Sequence, residues 1–415
     1  MANTLVTASW VARKALVMLH AKANAAARVN RDYQGLFQPI EGVPRGTTIT
    51  VRLPFRYTLR TGPTMVAQNS VQRTASLVLN NQNGVDINFS SIERAMDLGS
   101  FEEQVLEPAL AQVASGIDGN ITALVTQIPK QVGTSSTSVT FSNILNARRF
   151  LSEALAPEGS ARTLVVCPQH NYEFVLDNKA LYNPEVQISD QWIEGIIASK
   201  TAGFMTVENT RIATYTTGTF ATSTPVIKTG VTVGNAGTGN AFVSTVTVST
   251  TGWANSASTL NAGDVFTIAN VYDVDPETGN SLGRLKQFTV TAQISDTSGE
   301  IDIVASPGLI YGGAYKNCST SGGAGSVITM ATTSNTLLKQ SWAMHRDAIL
   351  FACVPMLDVS NTVKMCAAES YDGFNIRFIQ VYDANNDLLP GRLDTLSGEI
   401  LAYPELAVKI VGLPS

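Results

Sequence analysis

Near the carboxy-terminal end, the run AMHRDAILFACVP (343–355) contains His345-Arg346-Asp347. His-Arg-Asp opens the catalytic loop of a protein kinase, where the Asp acts as base. That chemistry needs a Leu after the Asp and a magnesium-binding Asn five positions beyond it. Ala348 and Ala352 stand there. The later Asp-Phe-Gly is replaced by Asp372-Gly373-Phe374, in the wrong order, and Gly237-Thr238-Gly239-Asn240 lacks the third Gly of a phosphate-covering loop. The plainer reading is a polar cluster leading into a short buried strand, Ala348 to Val354. A second candidate, Asp273-Val274-Asp275-Pro276-Glu277, has the acidic spacing of a calcium loop. An EF-hand requires Gly at the sixth position and Glu at the twelfth, where Thr278 and Arg284 stand, so a solvated loop between strands is expected. Neither a GxSxG elbow, nor HExxH, nor a Walker loop occurs. Glu102 and Glu103 fit a helix start better than acid–base work. No catalytic residue, metal ligand or cofactor is assigned, and an enzyme is not expected.

The composition points the same way. Of 415 residues only 15% are charged and three are His (His20, His170, His345), against roughly 25% charged in typical soluble proteins. Weakly polar surface on that scale is often covered by other subunits. The length predicts two or three domains. No apolar run reaches the roughly 18 residues of a membrane span, and no segment has the order of a secretory signal. Cys167, Cys318, Cys353 and Cys366 form no CxxC pair and are read as free thiols of a protein made in a reducing cytoplasm. Charge is unevenly placed. Residues 1–85 hold ten basic residues (Arg13, Lys14, Lys22, Arg28, Arg31, Arg45, Arg52, Arg56, Arg60, Arg73) and two acids (Asp32, Glu41), a net of +8 that leaves −13 for the rest. A positive head and a negative body suit head-to-tail association of identical chains. Contact of a basic arm with nucleic acid is compatible with that.

The elements that would position these residues follow from periodicity. Residues 8–29 read as an Ala-rich helix anchored by Trp10, Leu16, Val17 and Leu19. Thr47–Leu53 alternates Ile49, Val51 and Leu53 against Thr48, Thr50 and Arg52, and Thr74–Asn80 carries Leu77 and Leu79; together they predict a long basic hairpin. A two-stranded hairpin is marginal in water, and nothing adjacent in the sequence offers a platform, so a neighbouring subunit is expected to supply one. Ser100 to Glu103 forms a capping box opening a helix with Leu106, Leu110, Val113, Ile117, Ile121, Leu124 and Ile128 on one stripe. Pro129 ends it after roughly 40 Å, with a bend expected at Pro108. A second helix, Phe141–Leu155, precedes an apolar strand, Leu164–Cys167, which together indicate an α+β domain. From Thr219 to about Thr333 short β-prone runs (Ala241–Val248, Asp264–Asn270, Lys286–Gln293, Glu300–Ala305) alternate with turns, predicting a small all-β sandwich or barrel inserted into the main domain. Beyond it, Asn375–Tyr382 alternates, Asp383–Asn386 turns, and Leu406–Val411 is a last apolar strand.

Stretches along nearly the whole chain resemble the major capsid proteins of tailed bacteriophages, and most closely the P22 coat-protein-like group. They are MANTLVTASWVARKAL, VNRDYQGLF, GTTITVRLPFRYTLRTGPT, NGVDINFSS, ASGIDGNI, GDVFTIANVYDVDPETGNSLGRLKQFTV, WAMHRDAILFACVPM and YDANNDLLPGRLDTLSGEILAYPELAVKI. No single motif is decisive; their order and spacing together carry the resemblance. It implies the HK97-type fold: an amino-terminal arm (1–43), an extended β-hairpin loop (44–92), a peripheral domain (93–165) with a spine helix (100–128), part of an axial domain (166–218), an inserted barrel-like domain (219–335) that aids folding and decorates the outer surface, and the remainder of the axial and peripheral domains (336–415). The run around His345-Arg346-Asp347 is then core and not catalytic.

The implied function is a coat protein that self-assembles, as hexamers and pentamers, into an icosahedral shell around phage double-stranded DNA. Assembly would take place in the host bacterial cytoplasm, with no membrane involved. Its other partners would be a portal protein and a scaffolding or decoration protein. Arg52, Arg56, Arg60 and Arg73 are expected to meet acidic surface on a neighbouring copy. Arg13, Lys14, Lys22 and Arg28 are expected to meet scaffold, neighbour or DNA. No lysine lies between Lys22 and Lys130, which argues against a Lys–Asn crosslink from the loop. The alternative is a β-rich binding or adhesion protein of a virion or cell surface, acting through 219–335; an enzyme with an unrecognised site is a third.

Overall fold

The computed structural model describes residues 8–37, 46–65, 67–68, 71–90, 107–159, 161–177, 200–220, 224–229, 242–254, 258–356, 365–384, 386 and 388–412. The capping box at Ser100 and the first turns of the expected spine helix lie outside them. The chain divides into two compact units. One comprises 1–51, 75–122 and 349–400, and the other 52–74, 123–348 and 401–415.

In the first unit, helix α1 (Ala8–Lys22) buries Ala12, Ala15, Leu16 and Leu19, while Val17, expected as an anchor, is exposed. It packs on a strand pair, Met365–Tyr371 and Phe374–Gln380. That pair continues into the long strand Leu388–Leu401, which is flanked by Ile349–Val354. Asn81–Ser90 runs antiparallel along Leu388–Leu401, from Asn81 opposite Ser397 to Ser90 opposite Leu388. Helix α2 is described over Glu107–Ala123 and contains Pro108. It buries Leu110, Val113, Ile117 and Ile121, four residues of the expected stripe.

Asp118 on the same stripe is 2% exposed. Its Oδ2 accepts the backbone N–H groups of Asn24 (3.1 Å) and Ala25 (3.3 Å), and its Oδ1 that of Ala26 (3.1 Å). This carboxylate ends α1 by fixing the turn behind it, so the helix expected over 8–29 gives way to a 3-10 turn at Ala26–Arg28.

The expected hairpin forms from Thr48–Arg52 and Thr74–Val78. The Leu79 amide bonds to the Thr47 carbonyl and the Leu53 amide to the Arg73 carbonyl, so the strands are antiparallel. The expectation that a neighbouring subunit supplies the platform is corrected for the base of the hairpin. Leu77 and Leu79 pack with Phe37, Ala352, Val354, Leu396 and Ile400 of their own unit, because residues remote in sequence fold beneath them.

In the second unit a mixed sheet runs in the order Gln131–Val132, Ala407–Gly412, Leu337–His345, Arg162–Val166, Phe204–Glu208, Lys200–Thr201. Helices α3 (Phe141–Glu153) and α4 (Pro168–Asp177) share its core: Ile144, Ala147, Leu151, Leu164, Val166, Phe174, Phe204, Val408 and Ile410.

The all-β unit is a six-stranded sheet ordered Ile328–Met330, Val265–Val274, Ser281–Val290, Glu300–Ser306, Val246–Thr251, Val226–Ile227. A bridge between Val226 and Val327 brings its two edges together, giving a nearly closed barrel. Closure removes the bare edges that short β units otherwise present. Its interior holds Val248, Phe266, Ile268, Phe288, Ile301 and Ile303, contributed by alternate residues of each strand. At the neck the incoming and outgoing chains bind each other: the Thr217 amide bonds to the Thr336 carbonyl at 3.1 Å and the Asn335 amide to the Gly218 carbonyl at 3.0 Å.

Candidate assembly interface

The kinase-like triplet resolves first. His345 ends the strand Leu337–His345, and Arg346–Ala348 makes a single 3-10 turn into the buried strand Ile349–Val354. The Asp347 amide donates to His345 Nδ1 at 3.3 Å, so the residues cap one another. The imidazole is buried, which lowers its pKa despite Asp347. Among the described residues no group of three His, Cys, Asp or Glu side chains is placed to hold a metal.

In the second candidate, residues 275–277 turn between two strands as expected, and the correction concerns Asp273. Asp273 belongs to no solvated loop: it lies on the strand Val265–Val274, its Oδ2 2.7 Å from the Arg284 guanidinium and its Oδ1 3.3 Å from Lys286 Nζ. Burial alone would raise its pKa; Lys286, Lys130 and Arg284 outweigh that and hold it at about 2. Arg284 also pairs with Glu153 of α3 and lies 4.0 Å from the Phe150 ring centroid. With Gln287, which accepts from the Gln131 amide (2.8 Å) and donates to the Gln131 carbonyl (3.0 Å), it docks the barrel on the segment around α3. Lys409, 1% exposed, donates to the Gly263 carbonyl at 2.7 Å; burial, opposed by Asp264, lowers its pKa to about 7.

The hairpin arginines separate into two groups. Arg52 and Arg60 are exposed, and Arg60 folds back on the carbonyls of Gly62 and Thr64 at the tip. Arg56 and Arg73 instead converge on Glu405, at 3.5 and 2.9 Å. Burial pushes the Glu405 carboxyl upward, but the charge and hydrogen bond of Arg73, with Arg56 behind, bring its pKa below the ordinary value. Arg73 is 6% exposed, with Phe242 4.2 Å and Tyr403 5.7 Å from its guanidinium. Arg56 and Arg73, expected to meet acidic surface on a neighbouring copy, thus already share a counterion within the chain, supplied from 332 residues away in the case of Arg73.

In the arm, Arg13 is exposed and bonds Glu369 at 3.1 Å, Lys14 is exposed and Arg28 half-buried. The Lys22 side chain lies outside the described residues.

Sequence reasoning stresses the cations of the loop and passes over the apolar residues between them. Phe55, Tyr57, Leu59 and Met65 are 42, 63, 92 and 83% exposed. The signal is present: Phe55, Tyr57 and Leu59 alternate with Arg56, Thr58 and Arg60, the pattern of a strand with one apolar edge. Thr58 and Gln68 tie the two limbs near the tip through a pair of side chain–backbone bonds of 2.9 and 2.7 Å.

A hairpin with a buried base and a bare apolar end, together with a helix, a mixed sheet and an inserted barrel, is the architecture of a protein able to associate by its surface. The family model described as "P22 coat protein - gene protein 5" matches residues 77–412, and the chain belongs to that family. It is a phage major capsid protein, a virion component built into a shell of many identical copies, and its α+β fold with a barrel-like sheet is that expected of the group.

Among solved structures, the chain is similar to one from Mycobacterium phage Che8, with 13% identity over 93% of this chain and 89% of that one (TM-score 0.48). It is similar to the bacteriophage PhiM1 mature capsid, with 10% identity over 89% and 84% (TM-score 0.43). It is also similar to the CUS-3 coat protein I-domain, with 21% identity over 26% of this chain and 96% of that one (TM-score 0.20). None of the curated proteins compared with it matches.

Proposed function

We propose that the chain closes an icosahedral shell of hexamers and pentamers around double-stranded phage DNA, and that the exposed end of the loop expected at 44–92 acts by lying over a neighbouring copy. The observation that supports this reading is the exposed run Phe55, Tyr57, Leu59 and Met65 on a hairpin whose base is already buried. Burying such a side chain is worth about 1.5–3 kcal/mol, while an exposed ion pair contributes about 0–1 kcal/mol. Apolar contact therefore contributes more than charge to the association, and Arg52 and Arg60 set register against acidic surface. Weak contacts of this size, repeated around a closed shell, hold firmly in sum while single errors still dissociate.

In this reading the arm (1–43), with Arg13, Lys14, Lys22 and Arg28, faces scaffold, neighbour or DNA. The segments 93–165, 166–218 and 336–415 form the peripheral and axial domains, and 219–335 is the inserted domain. Assembly takes place in the bacterial cytoplasm, with a portal protein at one vertex and a scaffolding or decoration protein as an accessory. The test is the double variant Leu59→Asp/Met65→Asp. Both side chains are exposed, so the subunit keeps its melting temperature, and electron microscopy finds no shells. Uniform particles from that variant would show that the loop has another role.

A further inference from the structure

We propose that the inserted barrel is a positioning device for the assembly loop: Phe242 and Tyr315 from the barrel segment, with Tyr403 and Glu405 from the carboxy-terminal segment, form a socket that grips Val71 and Arg73 and sets the direction in which the loop leaves the body. This rests on the reading that the loop meets a neighbouring copy.

The socket is built from several independent contacts. Tyr315 Oη donates to the Val71 carbonyl at 2.8 Å. The Phe242 and Tyr315 rings meet edge to face, with centroids 5.6 Å apart, a favoured aromatic geometry. Phe242 in turn lies under the Arg73 guanidinium at 4.2 Å, and Glu405 accepts from Arg73 Nη1 at 2.9 Å. The Arg73 carbonyl then accepts from the Leu53 amide at 2.9 Å, so gripping one limb fixes the other. Arg is rarely buried without a specific partner, and replacing such an ion pair by apolar residues is often neutral or stabilising. A buried Arg held by two rings and one carboxylate therefore serves direction better than it serves stability.

Direction matters because the loop is a lever. The limb from Leu53 to Leu59 reaches about 20 Å at roughly 3.3 Å per residue. A swing of about 10° at the root moves the tip by about 3–4 Å on that lever arm, enough to take Leu59 off an apolar contact altogether. Two-stranded ribbons have little stiffness of their own, and beyond the root the described ties between limbs are the Thr58–Gln68 pair and the bonds of Arg60 to the tip carbonyls. The socket supplies the missing stiffness.

Phe242 is the residue to change. It is half-buried and lies outside the barrel core, so Phe242→Ala leaves the barrel intact. Hydrogen exchange on the full-length unassembled subunit should show the Leu53 amide protected in wild type and exchanging at least about tenfold faster in the variant, a loss within the range of one cation–π contact. Amides of Val265–Val274 and Ser281–Val290 should be unchanged. In assembly, Phe242→Ala should give open sheets or particles of mixed diameter, and Phe242→Tyr, which keeps the ring, uniform ones. An unaltered Leu53 exchange rate overturns the proposal, and so do uniform particles from Phe242→Ala. The exchange arm is read on free subunits, so it judges the socket even if the Leu59→Asp/Met65→Asp variant assembles and the role of the loop tip has to be withdrawn.

Discussion

Replacing Asp118 should separate the amino-terminal arm from the helix that holds it. Its two oxygens accept three backbone N–H groups, from Asn24, Ala25 and Ala26, at 3.1–3.3 Å. In Asp118→Ala all three lose their acceptor. The Asn24 amide is part-buried and can turn to water, but those of Ala25 and Ala26 lie in buried residues. An orphaned buried donor costs about 1–3 kcal/mol, so two of them predict a loss of about 3–4 kcal/mol. Asp118→Asn separates charge from geometry. If its amide oxygen takes the place of Oδ2, it still serves Asn24 and Ala25, while its NH2 opposes the Ala26 N–H; the loss is then about 1–2 kcal/mol, that of one charge-assisted bond. Urea unfolding of the unassembled subunit reads both values at constant m. Hydrogen exchange at residues 24–26 should quicken before any other region. The reasoning is refuted if Asp118→Ala costs under about 1 kcal/mol, or if Asn is as costly as Ala, since either result means the carboxylate is not the cap it resembles.

Arg284→Ala leaves Asp273 with its ion pair to Lys286 and the nearby charge of Lys130, and removes the bond to Glu153; it should cost about 2–3 kcal/mol by urea melt, below a fully buried pair because the site keeps some solvent. Arg284→Lys should recover less than half, since an ammonium cannot bridge two carboxylates while covering the Phe150 ring. Burial, with Lys339 nearby, lowers the His170 pKa to about 4, and its Nδ1 lies 2.8 Å from Ser341 Oγ. Its unfolded value is about 6.5, so the unfolded chain binds the proton first. Stability from this group is complete above pH 6.5 and falls by about 3 kcal/mol as pH drops to 4; the slope in that window should flatten in His170→Gln, as measured by melts at stepped pH. A Cβ at Gly398 would strike the Val78 carbonyl oxygen, a backbone atom with no room to retreat. Gly398→Ala should cost about 1–3 kcal/mol and speed exchange at the Leu79 amide, which bonds to Thr47 across the hairpin.

Much of the framework is legible in the sequence because its signals are local. The β-prone runs expected at Ala241–Val248 and Glu300–Ala305 appear as the strands Val246–Thr251, displaced along the chain, and Glu300–Ser306, and the two pair as the barrel requires. The stripe Leu110, Val113, Ile117, Ile121 is buried as its spacing demands. Partnership at long range leaves no such mark. Nothing in the spacing around Asp118 distinguishes it within its apolar stripe, and the turn residues after Asp273 point that carboxylate to solvent. Phe242 reads only as part of a β-prone run, though it stands beneath a guanidinium 169 positions earlier in the chain.

The sequence by itself determined that this is a charge-poor α+β chain with a basic hairpin, a long amphipathic helix and an inserted β unit, because each depends on a repeat of two or about 3.6 residues that neighbours in the chain can express. Only the tertiary structure decided which cations are committed and which remain available. Arg52, Arg56, Arg60 and Arg73 carry the same side chain on the same hairpin, yet two stay exposed and two share Glu405. The physical reason is that a charge acquires its partner from whatever the folded chain brings within about 4 Å, and that choice is made by closure of loops hundreds of residues long, which no local pattern records.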